Sequence, residues 1–483
     1  MPQPYGKPLL RRCGVQLRSA VVLLACALSA IAQAPPASGI ERLVATDAVQ
    51  RLDSKDAEIR GEAAIIVAAA GRVDQEPRLL ELAKDAAPAT SHRATLALGL
   101  LATPQAITFL EQQLHTIEGR TSDLGVVAAF ALGLVPPDCA GTSVARTLTL
   151  FEDGSWKRQH DTLVSLLLGM TRQPERTELR ALEQLLEDEA NRAAEARALL
   201  LQLLLPMTQS HDDRKLRRIL RRGSELERLA IVNWMAARPA SENKPWLDDL
   251  VRIAQRGEGP EIRSAALLAL TRCRHLPALE IAAHALKSSS PMECRQALAA
   301  MMAIGGASTH GALEQHLLNE RKPLRIQALM KGFLAPPSKE LVEHAILIAT
   351  DAKLPVATRA AAAELVGRRD KKRAAPLLRD LFRIATNPEV LTSMARALRR
   401  AEDSPTALSR LMDRPISLTQ HADRWQALLA AGHGEAQRQV LAVLKDGKSS
   451  DDDVRTAFKA WRRAMILDSA GLLAPERLTS HLK

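Results

Sequence analysis

Arginine returns along this chain at a nearly constant interval. Arg60, Arg93, Arg192, Arg228, Arg263, Arg295, Arg325, Arg359, Arg424 and Arg455 follow one another at a step of about 33 residues, with Val127, His160 and Leu391 in the remaining slots. A guanidinium carries five donors in a fixed fork and can tie carboxylates or carbonyl oxygens. In the first turn of a helix it would face the positive end of the dipole, unfavourable by ~0.3–1 kcal/mol. Its recurrence therefore calls for a carboxylate or carbonyl in the adjacent repeat, a structural ladder rather than a ligand site. A second concentration of charge lies between Gly367 and Arg400, where ten basic residues stand against Asp370, Asp380 and Glu389. Its core is Arg368, Arg369, Lys371, Lys372, Arg373, Arg379 and Arg383. Such a patch is either a solvated helix face or a contact for an acidic polymer, whose release of counterions would make binding salt-dependent.

Other chemistry is thin. His310 and His316 are six apart and fall on different helix faces, unlike the i, i+4 pair of a zinc helix. His211-Asp212-Asp213 and Asp451-Asp452-Asp453 read as caps that satisfy free N–H groups and suit the dipole. No Gly-x-Ser-x-Gly, P-loop or Gly-x-Gly-x-x-Gly occurs. The expectation is no enzyme, no cofactor and no metal.

The first 32 residues read as an export signal. Lys7, Arg11, Arg12 and Arg18 precede an apolar run from Ala20 to Ala32, with cleavage expected after Ala30-Ile31-Ala32. Leu23-Leu24-Ala25-Cys26 is an alternative lipobox, with a lipid anchor at Cys26. Removing 1–32 lowers the net charge from +11 to about +7, moderately basic and not of the nucleic-acid-binding kind. Cys139, Cys273 and Cys294 remain, an odd set that argues against a disulfide framework. With Arg263 aligned on Arg295, Cys273 and Cys294 lie at opposite ends of neighbouring helices, too far apart to bond.

These groups must be held by helices. Aromatics are 2% of the chain and Ala and Leu dominate, which suits helix packing and not a β-sandwich. The same scarcity excludes the exposed rings of base-stacking surfaces. Apolar residues recur with a period near 3.6 for ten to sixteen residues, then break. Pro77, Pro104, Pro174, Pro245, Pro260, Pro277, Pro291, Pro323, Pro355, Pro388 and Pro405 sit at the breaks and read as helix starts. Trp425 and Trp461 fall in second helices as core; Trp156, Trp234 and Trp246 stay open.

One sentence pattern repeats from residue 40. Residues Glu261 to Leu270 (EIRSAALLAL), Val356 to Gly367 (VATRAAAAELVG) and Asp56 to Ala64 (DAEIRGEAA) share an acidic or Pro start, apolar-Arg-x-x-Ala-Ala and a Leu-Gly end. This resembles the HEAT-like repeat family, in the short form of phycobilisome lyases, over roughly 40–466. The section 138–240 departs from it most. The resemblance implies an all-α fold, an α-solenoid of about thirteen stacked antiparallel helix pairs. It leaves 33–39 as a linker and 467–483 as a tail or capping helix. The iron-binding His-Glu dipeptides of HEAT-like hydroxylases are absent, since none of the twelve histidines precedes Glu. The reading is an exported, periplasmic or extracellular scaffold that binds protein partners through stacked helices. Two alternatives stand beside it: a polyanion binder using 367–400, and an enzyme or cofactor-handling protein with a dispersed site. No nucleic-acid partner and no membrane span after signal cleavage are expected.

Overall fold

The computed structural model describes residues 39–151, 159–170, 174–187, 194–207, 213–401, 422–431 and 449–458, with 440, 442 and 443. The expected signal (1–32), the linker to residue 38, Cys26, Arg192, Trp156, Trp461, Pro405 and the tail lie outside them. Every described element is helical, and no strand occurs among the described residues. The fold is all-α and solenoid-like. The described residues divide into two compact units, one within 1–207, 417–422 and 436–483, the other within 208–416 and 423–435. The division falls in the section where the repeat pattern is weakest.

The first unit holds α1 (Gly39–Arg51), α2 (Ala57–Ala69), α3 (Glu76–Leu82), α4 (Pro88–Leu101), α5 (Pro104–His115) and the short α6 (Ile117–Thr121). It continues with α7 (Asp123–Leu134), the single turn α8 (Pro137–Ala140), α9 (Ser143–Thr149), α10 (His160–Gly169), α11 (Arg176–Glu187) and α12 (Ala194–Leu204). The second helices α2, α4, α7, α10 and α12 pack each on the next. Small residues set that spacing. A Cβ on Gly133 would lie 2.5 Å from the carbonyl oxygen of Leu166, and one on Gly169 would lie 2.3 Å from that of Phe130. The α7 and α10 backbones thus touch, and Phe130 and Leu134 are buried beside Leu96, Leu100 and Leu168.

The second unit pairs α13 (Asp213–Arg222) with α14 (Glu225–Ala237), α15 (Leu247–Arg256) with α16 (Pro260–Arg272), and α17 (Ala278–Ala285) with α18 (Pro291–Gly305). Then come α19 (Ala307–Asn319) with α20 (Pro323–Gly332), α21 (Lys339–Thr350) with α22 (Val356–Gly367), and α23 (Lys371–Ile384) with α24 (Pro388–Ala401); α25 (Ala422–Ala430) follows. The second helices again stack in order, α14 on α16, α16 on α18, α18 on α20, α20 on α22 and α22 on α24. Each exposes too little apolar surface to its own partner to stand alone, so the neighbouring pair completes its core.

Sequence punctuation explains the starts. Pro104, Pro260, Pro291 and Pro323 occupy the first helical position, where a missing N–H costs nothing. Pro277 and Pro355 sit one residue earlier, at the cap. Pro245 departs from the pattern, lying within a 3-10 turn, Ala240–Trp246. Ser224 and Glu227 form a reciprocal capping box at α14. Trp234, Trp246 and Trp425 are all buried. Arg238 stacks 4.1 Å over Trp234 and Arg217 stacks 5.0 Å over Trp246.

Candidate interaction surface

The turn between the two helices of a pair is where the recurring arginines act. Arg60 is the fourth residue of α2 counted from its cap, Asp56. Its Nη1 donates to the carbonyls of Ser54 and Lys55 (2.8 and 3.1 Å) and its Nη2 to Asp85 in the next pair (2.8 Å). Arg263, fourth in α16, repeats this: Nη1 donates to the Gly257 and Glu258 carbonyls (2.6 and 3.5 Å) and Nε to Glu293 of the next pair. In both cases the carbonyls are six and five residues back. They close the end of the first helix, where the dipole is negative and a cation is favourable. The guanidinium reaches away from the helix that carries it, which removes the penalty expected from its first-turn position.

The same offsets expose a member that the sequence pattern missed. Arg120 donates from Nη1 to Leu114 and His115 carbonyls (2.9 and 3.2 Å), again six and five residues back, and from Nε to Gln159 (2.7 Å). It is buried. Arg120, not Val127, fills that slot; the short α6 inserts a break that a fixed step of about 33 residues could not anticipate.

The remaining arginines vary the theme. Arg228 pairs with Glu258 (2.6 Å). Arg325 donates to the Leu286, Lys287 and Ser288 carbonyls of the preceding turn (2.6, 3.1 and 2.9 Å) and to Glu320 (2.7 Å). Arg359 donates to Ala349 (2.9 Å), Arg424 to the Arg383 carbonyl, and Arg93 lies 3.4 Å from the buried Glu62. Arg455, in helical residues 451–458, donates to Asp56 at the cap of α2 and to Asp452. Arg295 stands apart. It is exposed and has no hydrogen bond or ion pair. It is fifth in α18, whose cap is Ser290, and Cys294 takes the fourth place. The Cys294 Sγ donates to the Ser288 carbonyl (3.2 Å) and the Leu286 carbonyl (3.5 Å). Cys294, rather than Arg295, is therefore the counterpart of Arg263, a one-residue correction of register. Cys139, Cys273 and Cys294 are all free thiols, and burial pushes the Cys294 thiol up.

The carboxylates on these turns respond as ion-pair partners should. The Ala87 N–H and Arg60 hold Asp85 below the ordinary carboxylate range, against a smaller effect of burial. Burial would raise Glu293, but Arg263 and Ser288 outweigh it and the net shift is downward. Glu320 behaves alike: burial raises it, and the Lys322 and Arg321 N–H groups with Arg325 bring it lower.

Residues 45–121 of these stacked helix pairs match the family model for HEAT repeats. That segment carries HEAT repeats. No curated protein matches it. A solved structure of an engineered protein is 17% identical, covering 89% of this chain and 99% of that one, at a TM-score of 0.24. So low a score carries no argument.

The basic window lies on the turns around α23 and α24. Arg368 donates to the Lys331 carbonyl (3.3 Å), Arg369 to Pro337 (2.9 Å), and Arg373 grips Glu343 with both Nη atoms (2.7 and 2.9 Å). Arg383 lies 3.6 Å from Asp380, and Arg379 is half-buried with a partner of its own. Lys371 and Lys372 are exposed and unpaired. Six of the seven are exposed. Arg368, Arg369, Arg373 and Arg383 each also engage a group of the chain itself. Among the described residues no three His, Cys, Asp or Glu side chains gather as metal ligands, and no helix is long and apolar enough to cross a membrane.

Proposed function

We propose that the chain is an exported, non-catalytic HEAT-repeat scaffold that holds protein partners on its stacked helices. One observation carries this reading: the arginine ladder commits its charged groups to fixing one turn against the next. A surface so fixed binds with little ordering cost. The export part rests on the basic start, apolar run and small-residue end of residues 1–32. HEAT repeats are in general scaffolds for protein contact, which supports the choice of partner class. The use of Arg368, Arg369 and Arg373 within the chain favours it over an acidic polymer held by 367–400.

The test is chemical crosslinking in the native cell, followed by fractionation. The expected result is a discrete protein adduct in the exported fraction. That adduct should survive replacement of Lys371 and Lys372 by Gln. Retention of the chain in the cytosol with its first 32 residues intact would sink the export reading. Capture of acidic polymer alone, lost in that variant, would replace the scaffold reading by the polyanion one.

A further inference from the structure

The HEAT turns of the second unit carry cations that the ladder does not use. Arg222 ends α13, Arg256 ends α15, and Lys287 follows α17. Lys322 and Lys353 come just before α20 and α22. All five are exposed, and none makes a side-chain hydrogen bond or ion pair. They stand on five consecutive turns, at least one to a turn, with exposed Arg221 and Arg321 adding a second cation on the first and fourth. Those turns are neighbours by direct bonds: Arg228 to Glu258, Arg263 to Glu293, Arg325 to Ser288, and the Thr358 hydroxyl to the Pro323 carbonyl.

Helix ends explain only part of this row. A cation in the last turn of α13 or α15 suits the dipole. Lys322 does not, because it is the cap of α20, a position that favours an oxygen acceptor and faces positive charge. The acids nearby are mostly engaged: Glu258, Glu293 and Glu320 with arginines, and Asp351 with the Lys353 N–H. Glu225 and Glu261 are the exposed acids left on these turns. Leu324 and Leu347, 64% and 67% exposed, and Leu226 stand beside the row.

Taking the protein-binding reading as its basis, we infer that this row of turns binds an extended acidic segment of a partner protein. The segment would carry an acid at every third residue with apolar residues between. Packed helices lie about 8–10 Å apart. A polyproline-II chain makes one turn in three residues of ~3.1 Å, so its side chains return to one face every ~9 Å. One acid per turn of such a chain meets at least one free cation on each turn, and the leucines meet what lies between. A bare polyanion would leave Leu324 and Leu347 in water. Aromatic platforms for nucleic-acid bases are scarce, aromatics being 2% of the chain.

The probe is a fluorescein-labelled peptide of five Glu-Pro-Leu triplets, with a control of equal composition whose glutamates form one block. Anisotropy titrations use the whole chain and a variant with Arg222, Arg256, Lys287, Lys322 and Lys353 replaced by Gln. The triplet peptide should bind about tenfold more tightly than the block peptide. It should lose about tenfold on the variant, whose unfolding midpoint should be unchanged because none of the five is paired. Equal binding of the two peptides, undiminished binding to the variant, or displacement by polyphosphate at equal charge would each overturn the assignment. If the variant still gives the native protein adduct while the triplet peptide fails, the row is refuted and the scaffold reading survives.

Discussion

At the scale of single residues, Arg263 and Arg295 separate two meanings of one sequence signal. Arg263→Ala leaves Glu293, nearly buried, without its main partner. A stability loss of ~1–3 kcal/mol is expected, read from the urea midpoint. Arg295→Ala removes an unpaired, exposed side chain and should change stability by no more than about 0.5 kcal/mol. Equal losses would mean that the geometry misassigns the slot. The carboxylates add a dependence on pH. Asp85, Glu293 and Glu320 have lowered folded-state values. Their stabilising contribution is present above the unfolded carboxyl range of about 4 and is lost as pH falls through the lowered values. Thermal melts should therefore be flat from about pH 7 to 5 as far as these groups are concerned and fall below pH 4. The Arg263→Ala variant should lose less on acidification than the parent, because Glu293 no longer has Arg263 to keep its value low.

At the scale of helices, the close contact of α7 and α10 sets a limit on substitution. Gly169→Ala would drive a methyl group against the Phe130 carbonyl, so the helices must part. The expected cost is about 1–3 kcal/mol, as for other overpacked sites, and hydrogen exchange should quicken in α7 as well as α10. An unchanged exchange rate in α7 would mean that the two backbones do not meet. Much of this level was legible in the sequence. The Ala- and Leu-rich cores, the proline starts and the pairing of helices follow from composition, periodicity and turn chemistry. Arg120 was not, because α6 shifts the repeat locally and a fixed step passes over it. Nor was the role of Cys294: composition offers no sign that a thiol stands where the neighbouring repeats use arginine. The basic window was legible as charge, but sequence cannot tell that the exposed Arg368 and Arg369 also bond to the Lys331 and Pro337 carbonyls.

At the scale of the whole molecule, the ladder links the two ends of the first unit. Arg455 bonds to Asp56, the cap of α2, whose carboxyl is raised by burial but lowered more by the Ile59 and Glu58 N–H groups and Arg455. Asp85, Glu258 and Glu293 each belong to the next repeat in sequence; here the partner is the cap of α2. A double-mutant cycle on Asp56→Ala and Arg455→Ala should give a coupling of ~0.5–1 kcal/mol, with Asp56→Ala alone costing about 1 kcal/mol more for the lost cap. Purely additive losses would mean that the pair is not formed in solution. The contact also has a place in time. Its partners are 399 residues apart, and at about 5–20 residues per second the second is made tens of seconds after the first. Through that interval α2 has its cap but not its last neighbour. On the export reading, the chain crosses its membrane in the same order, so the first repeat waits on the far side until residue 455 arrives. A chaperone or protease that meets the young chain would find that uncovered end, and would lose it when Arg455 comes home.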